Sequence, residues 1–250
     1  MRSRAELLRK ARPAWVLVWL AVLLVCYLAF LLLDFRQQYA ASARVKYGSI
    51  GLCLFMTVMA YGTGGFSPAH AGRLLVAAMV FTFCADLFLL FPVLSDSTRN
   101  SALGVSFFCL AQLAHKKRFG KSIRPFIWAL VPGIMLWPAA LFGERLPMAG
   151  GLLLLYLATV YAVLLFTNTA AAFRLPWPRR SRMLAAMGML LFVCCDLCVA
   201  GYQIALNLPA LQAGFLASPR FVNLSWVFYL PSQCLLILSG MACAPESERD

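Results

Sequence analysis

Residues 184–206 read LAAMGMLLFVCCDLCVAGYQIAL, an apolar run in which Asp196 is the only charged residue. An α-helix needs about 20 apolar residues to cross a hydrocarbon core of roughly 30 Å, so this run predicts a membrane-spanning helix. The whole chain has the same character, because 62% of its 250 residues are hydrophobic, 12% are charged and the mean hydropathy is +0.81. Soluble globular domains carry about 25% charged residues. The composition therefore predicts an integral membrane protein.

Eight apolar runs of this kind predict an all-α fold, a polytopic membrane bundle of eight transmembrane helices. The loops are short and no segment has the composition of a separate domain, so a single transmembrane domain is predicted. It consists of a basic tail at 1–13, the bundle at 14–243 and a polar tail at 244–250. The fourth run is the shortest. The runs lie at 15–33, 45–61, 74–91, 102–114, 126–142, 150–168, 184–206 and 224–243.

The positive charges are distributed unevenly between the two sides that eight spans define. Sixteen of the 22 Lys and Arg residues lie in the tails and the loops of one side, against six on the other. By the positive-inside rule, both termini are predicted to be cytoplasmic. The net charge of +13 then reflects membrane orientation, so membrane lipids and not nucleic acid are the expected partners. The compact loops favour a bacterial inner membrane over the endoplasmic reticulum.

The nine cysteines all lie in apolar segments and are predicted to be small packing residues. His70 and His115 are the only histidines available to complete a set of metal ligands. Neither a metal site nor a cofactor is therefore predicted.

A second aspartate, Asp86, lies in the third run within FTFCADLFLLF (81–91). A carboxyl group at bilayer depth is costly and marks a candidate functional site. Asp86 and Asp196 each follow the first residue of their run by 12 residues, so both lie about 18 Å into the membrane. Each run is also followed by one that carries a glutamine, Gln112 or Gln233. The two carboxyls are therefore predicted to share one site.

Two neighbouring carboxyls in a medium of low dielectric resist double ionisation, so one keeps its proton while the other is charged. Such a pair supplies an acid and a base, which suits cleavage through an oxocarbenium-like state. Two other functions stay open. One is a proton- or cation-coupled small-molecule transporter that uses the aspartates as a relay. The other is a non-catalytic lipid-binding protein in which each aspartate joins two helices.

Residues in or next to three of the predicted spans form a recognisable pattern. They are Asp86 in the third span; Arg182, Gly188, Phe192 and Asp196 at the seventh; and Tyr229, Gln233 and Ser239 in the eighth. With these residues the chain resembles the YhhN family of multi-span membrane proteins, from about Lys46 to Ser239. The characterised animal members of that family are lysoplasmalogenases. The resemblance implies an ether hydrolase that cleaves the vinyl ether bond of a lysoplasmalogen to a fatty aldehyde and a glycerophospho-alcohol. The fourth span of the family has a histidine at the position of Gln112.

The resemblance and the acid and base argument together make Asp86 and Asp196 the predicted catalytic pair, with the two roles unassigned. The predicted substrate is a lysophospholipid. The substrate-binding residues are predicted to have three roles. Water or the glycerol oxygens are held by Gln112, Tyr229 and Gln233. Lys46 meets the phosphate at the outer surface, and the hydrocarbon tail lies against the rings of Phe108 and Phe192.

Overall fold

The computed structural model describes residues 4–66, 69–91, 93–94, 96–142, 147–212 and 214–241, which form eight α-helices and two short 3-10 helices without a strand. The predicted all-α class is therefore confirmed. The predicted polar tail at 244–250 and the last two residues of the eighth run lie outside the described residues. The α-helices are α1 (Arg4–Phe35), α2 (Tyr39–Gly62), α3 (Ala69–Leu90), α4 (Ser97–Arg118), α5 (Arg124–Phe142), α6 (Pro147–Phe173), α7 (Arg179–Asn207) and α8 (Pro219–Met241).

Two helices extend beyond the apolar runs that predicted them. Helix α4 covers Ser97–Arg118 where the sequence indicated 102–114, because Asp96 caps it by accepting hydrogen bonds from the amide nitrogens of Thr98 at 2.8 Å and Arg99 at 3.3 Å. Helix α1 begins at Arg4, within the predicted basic tail at 1–13. An apolar run indicates where a helix crosses lipid, whereas capping and backbone hydrogen bonds decide where it ends.

The outer surface of the bundle has the character expected in lipid. Within the described residues, six helices are long and apolar enough to cross a membrane: α1, α2, α3, α6, α7 and α8. Large apolar side chains on several of them face outward, and Val25, Leu155 and Leu197 are each more than half exposed. The chain is thus an integral membrane protein. The number of eight crossings stays a prediction, because α4 carries a polar first turn and a basic last turn.

The two aspartate-bearing helices each pack along the helix that follows them, α3 along α4 and α7 along α8. Glycines permit these close contacts. A Cβ atom on Gly188 would lie 2.9 Å from Cγ of Leu236, and one on Gly104 would lie 2.6 Å from Cγ of Leu89. Helix α6 packs on α4, α5 and α7, and α2 packs on α1, α3 and α8. The aspartates therefore face an interior shared by both helix pairs.

Candidate active site

The side chain of Asp86 lies inside the bundle, on α3, and the residue is only 3% exposed. Tyr229 of α8, which is equally buried, donates its hydroxyl to Oδ2 of Asp86 at 2.8 Å. A hydrogen bond of this kind fixes both the orientation of a carboxyl group and the oxygen that remains for other partners. Oδ2 accepts this bond, so a proton carried by the neutral Asp86 would sit on Oδ1.

Asp196 on α7 is held in the same way by a different helix. Tyr161 of α6 donates its hydroxyl to Oδ2 of Asp196 in a short hydrogen bond. Asp196 is partly buried, and so it is less enclosed than Asp86. Two similar carboxyl groups, each with one tyrosine donor, therefore belong to residues of different exposure.

A cluster of aromatic rings joins the two pairs of aspartate and tyrosine. The ring of Phe108 lies 5.8 Å from that of Tyr161, 5.9 Å from that of Phe192 and 6.3 Å from that of Tyr229, measured between centroids. The rings of Phe192 and Tyr229 are 5.5 Å apart. The two carboxyls are also close enough to interact electrostatically. We call the four rings of Phe108, Tyr161, Phe192 and Tyr229 the aromatic cluster.

Five of the eight residues that the sequence singled out thus come together. These are Asp86, Asp196, Phe108, Phe192 and Tyr229, which lie on four different helices. The shared position of the aspartates follows from their matched depth on α3 and α7.

The two predicted glutamines lie one helical turn from the aromatic cluster and outside its ring contacts. Gln112 follows Phe108 by four residues, and its carbonyl Oε1 accepts a hydrogen bond from the side-chain amide of Asn168 at 2.9 Å. Gln233 follows Tyr229 by four residues and is fully buried. Its amide oxygen and nitrogen have no hydrogen-bond partner within the described part of the chain.

Lys46, which is predicted to meet the substrate phosphate at the outer surface, is only 3% exposed. Its Nζ lies 2.8 Å from Oδ2 of Asp34 and donates to Oδ1 of Asn223, also at 2.8 Å. The rings of Phe30 and Trp226 lie 5.6 and 5.5 Å from the ammonium group. Helices α1 and α8 therefore cover a lysine that the sequence alone left exposed at the start of α2.

Lys46 is nevertheless connected to the site by aromatic contacts. The ring of Trp226 lies 4.9 Å from that of Tyr229, the donor to Asp86. A buried cation and a buried carboxyl thus lie on either side of two neighbouring rings.

Sequence reasoning missed Tyr161, the donor to Asp196. The available signal was a hydroxyl group inside the apolar run 150–168, but a tyrosine in a membrane helix is usually a packing residue or an interfacial residue. Its role depends on how α6 and α7 are rotated against each other, and no local pattern records that rotation.

The cysteines and histidines form no alternative centre within the described ranges. All eight described cysteines are free thiols, half of them buried and half partly buried. No group of three or more His, Cys, Asp and Glu side chains in the described ranges is arranged to hold a metal ion.

Comparison with known proteins identifies one related family. The model of the YhhN family matches residues 46–240, which include α3, α4, α6, α7 and nearly all of α8, and so both aspartates and the whole aromatic cluster. Helix α1, with Asp34, lies outside the matched segment. No curated protein and no solved structure matches the chain.

Proposed function

The chain belongs to the YhhN family, and from this premise we propose that it is a membrane-embedded hydrolase of lysoplasmalogen. It cleaves the vinyl ether bond to a fatty aldehyde and a glycerophospho-alcohol. The observation that carries the proposal is the pair of carboxyls, Asp86 and Asp196, each held by one tyrosine at a common aromatic cluster. The apolar surface and the compact loops support a multi-pass protein of a bacterial inner membrane as its setting.

The lower exposure of Asp86 supports one assignment of the two roles. The more deeply buried carboxyl, Asp86, favours its neutral form because burial penalises charge. It therefore acts as the acid. Asp196 is less enclosed and acts as the carboxylate, which stabilises positive charge and then serves as the base.

The two carboxyl groups together give and accept every proton that the reaction transfers. Asp86 gives its proton to the vinyl carbon distal to the ether oxygen, and the C=C electron pair forms the new C–H bond. The resulting oxocarbenium ion is paired with the Asp196 carboxylate. Asp196 then removes a proton from water as the oxygen of the water bonds to the cationic carbon, which yields a hemiacetal. Transfer of the proton from Asp196 to the ether oxygen, and of the hemiacetal hydroxyl proton to Asp86, breaks the C–O bond and restores both groups.

The aromatic cluster supports the same chemistry in two ways. Ring faces attract a developing cation, and such contacts strengthen when the site is desolvated. Phe108 and Phe192 also present apolar surface against which the hydrocarbon chain of the substrate packs. Both effects favour a substrate that carries a long chain next to the bond that is cleaved.

Lys46 is the proposed partner of the substrate phosphate. Its ammonium group is separated from Asp86 by the rings of Trp226 and Tyr229. An anionic phosphate would take the place of the Asp34 carboxylate beside Lys46, while the vinyl ether lies at the aspartates. Gln112 and Gln233, one turn from the cluster on the side away from Lys46, serve water rather than the glycerol oxygens.

The decisive experiment measures aldehyde release from a lysoplasmalogen by purified protein in detergent. Asp86→Asn and Asp196→Asn are each expected to abolish turnover, because the first substitution removes the acid and the second removes the carboxylate that acts as the base. Asp96→Asn is the matched control, since this aspartate caps α4 far from the cluster and asparagine also serves as an N-cap. The thermal unfolding of each variant establishes that it is folded. Unchanged turnover in either site variant would contradict the mechanism, and proton flux into liposomes without any turnover would favour transport instead.

A further inference from the structure

Helices α4 and α8 run in the same direction and meet through side chains at two levels. The ring of Phe108 on α4 contacts that of Tyr229 on α8, and ten residues later Arg118 donates from Nη2 to Oγ of Ser239 at 2.8 Å. Equal spacing on both helices places these two contacts about 15 Å apart along the bundle. The aromatic cluster lies at one end of this stretch and the basic last turn of α4 at the other.

The residues that face this stretch are polar, deeply buried and incompletely bonded. Gln112 and His115 on α4 and Gln233 on α8 are each at most 1% exposed. Nε2 of Gln112, Nδ1 of His115 and both amide atoms of Gln233 have no hydrogen-bond partner among the residues that the structure describes. Polar groups buried in this way are normally paired with protein or with water.

Helix α3 adds a fourth member at the same depth. Thr82 precedes Asp86 by one turn, is 1% exposed, and its Oγ1 likewise has no partner in the described ranges. Because α3 runs opposite to α4, this threonine is displaced from its aspartate toward the Arg118 end. Gln112 and Gln233 are displaced in that direction from Phe108 and Tyr229. Each of these three helices therefore carries a polar group one turn closer to the Arg118 end than its aspartate or its ring, and that group has no hydrogen-bond partner among the described residues.

From this arrangement we propose that a column of water runs between α3, α4 and α8 from the Arg118 end of the bundle to the two aspartates. Thr82, Gln112 and Gln233 form its inner layer, and His115 continues it toward Arg118. Neutral amide, hydroxyl and imidazole groups offer both donors and acceptors, which is what a water molecule with two to four partners needs. A column of this composition conducts water without holding an ion.

The basic end of the column has its own structure. The guanidinium group of Arg118 lies 5.0 Å from the ring of Trp177, and its Nη1 donates to the carbonyl oxygen of Leu236 at 3.5 Å. The neighbouring residues of α4 are basic, which places this end on the cytoplasmic side by the positive-inside rule. The Arg118 end of the column therefore lies toward the cytoplasm.

The catalytic role of the column rests on the proposed hydrolysis, whereas its existence does not. Cleavage of a vinyl ether consumes one water molecule, and the proposed alkenyl chain of the substrate packs against the aromatic cluster. Water that reaches Asp196 from the cytoplasmic side keeps this supply separate from the lipid path.

Thiol labelling in sealed vesicles tests the column without reference to catalysis. Gln233→Cys is exposed to a small, charged, membrane-impermeant methanethiosulfonate, in inverted and in right-side-out vesicles, and labelling at each cysteine is followed by peptide mass spectrometry. Reaction needs the thiolate and access to the reagent, so labelling at position 233 from the cytoplasmic side is expected to be at least about tenfold faster than from the other side. Thr82→Cys, close in size to the native residue, is expected to behave in the same way.

The controls are matched in burial. Leu230→Cys lies on the same helix as Gln233 and replaces an equally buried residue that faces apolar neighbours, and native Cys53 and Cys109 are buried thiols within the same molecule. All three are expected to stay unlabelled. Labelling at 233 and 82 no faster than at Cys109, or faster from the opposite side, would overturn the proposal. Cytoplasmic labelling in a protein that never releases aldehyde would uphold the column and refute the hydrolase.

Discussion

Replacing Tyr229 with phenylalanine removes one hydroxyl group and leaves the ring in the aromatic cluster. That hydroxyl donates to Oδ2 of Asp86 at 2.8 Å, and both residues are 3% exposed. If Asp86 is the acid, it becomes a carboxylate as the proton moves to carbon. The tyrosine bond then strengthens during the step, because hydrogen bonds to charged groups are stronger than those between neutral groups.

The size of the effect follows from that difference. A hydrogen bond contributes about 1 kcal/mol between neutral partners and about 1.5 to 3 kcal/mol when one partner is charged, so about 0.5 to 2 kcal/mol of transition-state stabilisation is lost. This corresponds to a decrease in kcat of about 2- to 30-fold. We expect KM to change little, because the bond is made to the enzyme and not to the substrate.

Two companion variants make the result interpretable. Tyr161→Phe acts on Asp196, which is already charged in the first step, so its decrease in kcat is expected to be smaller. Tyr156→Phe is the matched control, because its hydroxyl donates to the backbone carbonyl of Ala129, on α5 and away from the cluster. Aldehyde release gives kcat and KM, and thermal unfolding in detergent measures stability. A kcat for Tyr229→Phe within about twofold of the parent value, or a larger decrease for Tyr161→Phe, would refute the assignment of Asp86 as the acid.

Further predictions concern stability. Asp34→Asn breaks the ion pair with Lys46 and is expected to lower the free energy of unfolding by about 2 kcal/mol. This is below the usual cost of breaking a buried pair, because Asp34 is 12% exposed. Adding Lys46→Met should partly restore stability in thermal unfolding, and no recovery would argue against an unpaired lysine as the cause. Gly188→Ala is expected to cost about 1 to 3 kcal/mol, because its Cβ would lie 2.9 Å from Cγ of Leu236. A Cβ atom added at Gly151 would meet no atom of another described segment within 4 Å, so Gly151→Ala should be neutral or stabilising by about 0.5 kcal/mol. Equal effects of the two alanine substitutions would contradict this account of the contact between α7 and α8.

The sequence predicted the helical architecture better than the helix ends. The run at 102–114 indicated a short fourth helix, whereas α4 extends over Ser97–Arg118 through a capped polar turn and a basic last turn. Apolar composition reports only the part of a helix that lies in an apolar medium. The cap at Asp96 is a local signal that would have extended the prediction at its N-terminal end.

The candidate site was predictable where a single helix shows both the energetic cost of a buried charge and the depth of that charge in the membrane. Asp86 and Asp196 stand out because charge in an apolar run is expensive, and their equal distance from the start of each run placed them at one level. The burial of Lys46 could not be predicted, for the converse reason. Its cover comes from α1 and α8, which are distant in sequence, and an isolated α2 gives no sign of Asp34 or Trp226 beside it.

The sequence by itself determined that this is an all-α membrane protein with two carboxyls at matched depth, because hydropathy and the rise of a helix are local properties of the chain. Only the tertiary structure decided which groups meet those carboxyls. Tyr161 reaches Asp196, Tyr229 reaches Asp86, and Gln112, Gln233 and Thr82 lie one turn below them. These pairings depend on how each helix is rotated and which helices are neighbours, and packing between distant segments sets both.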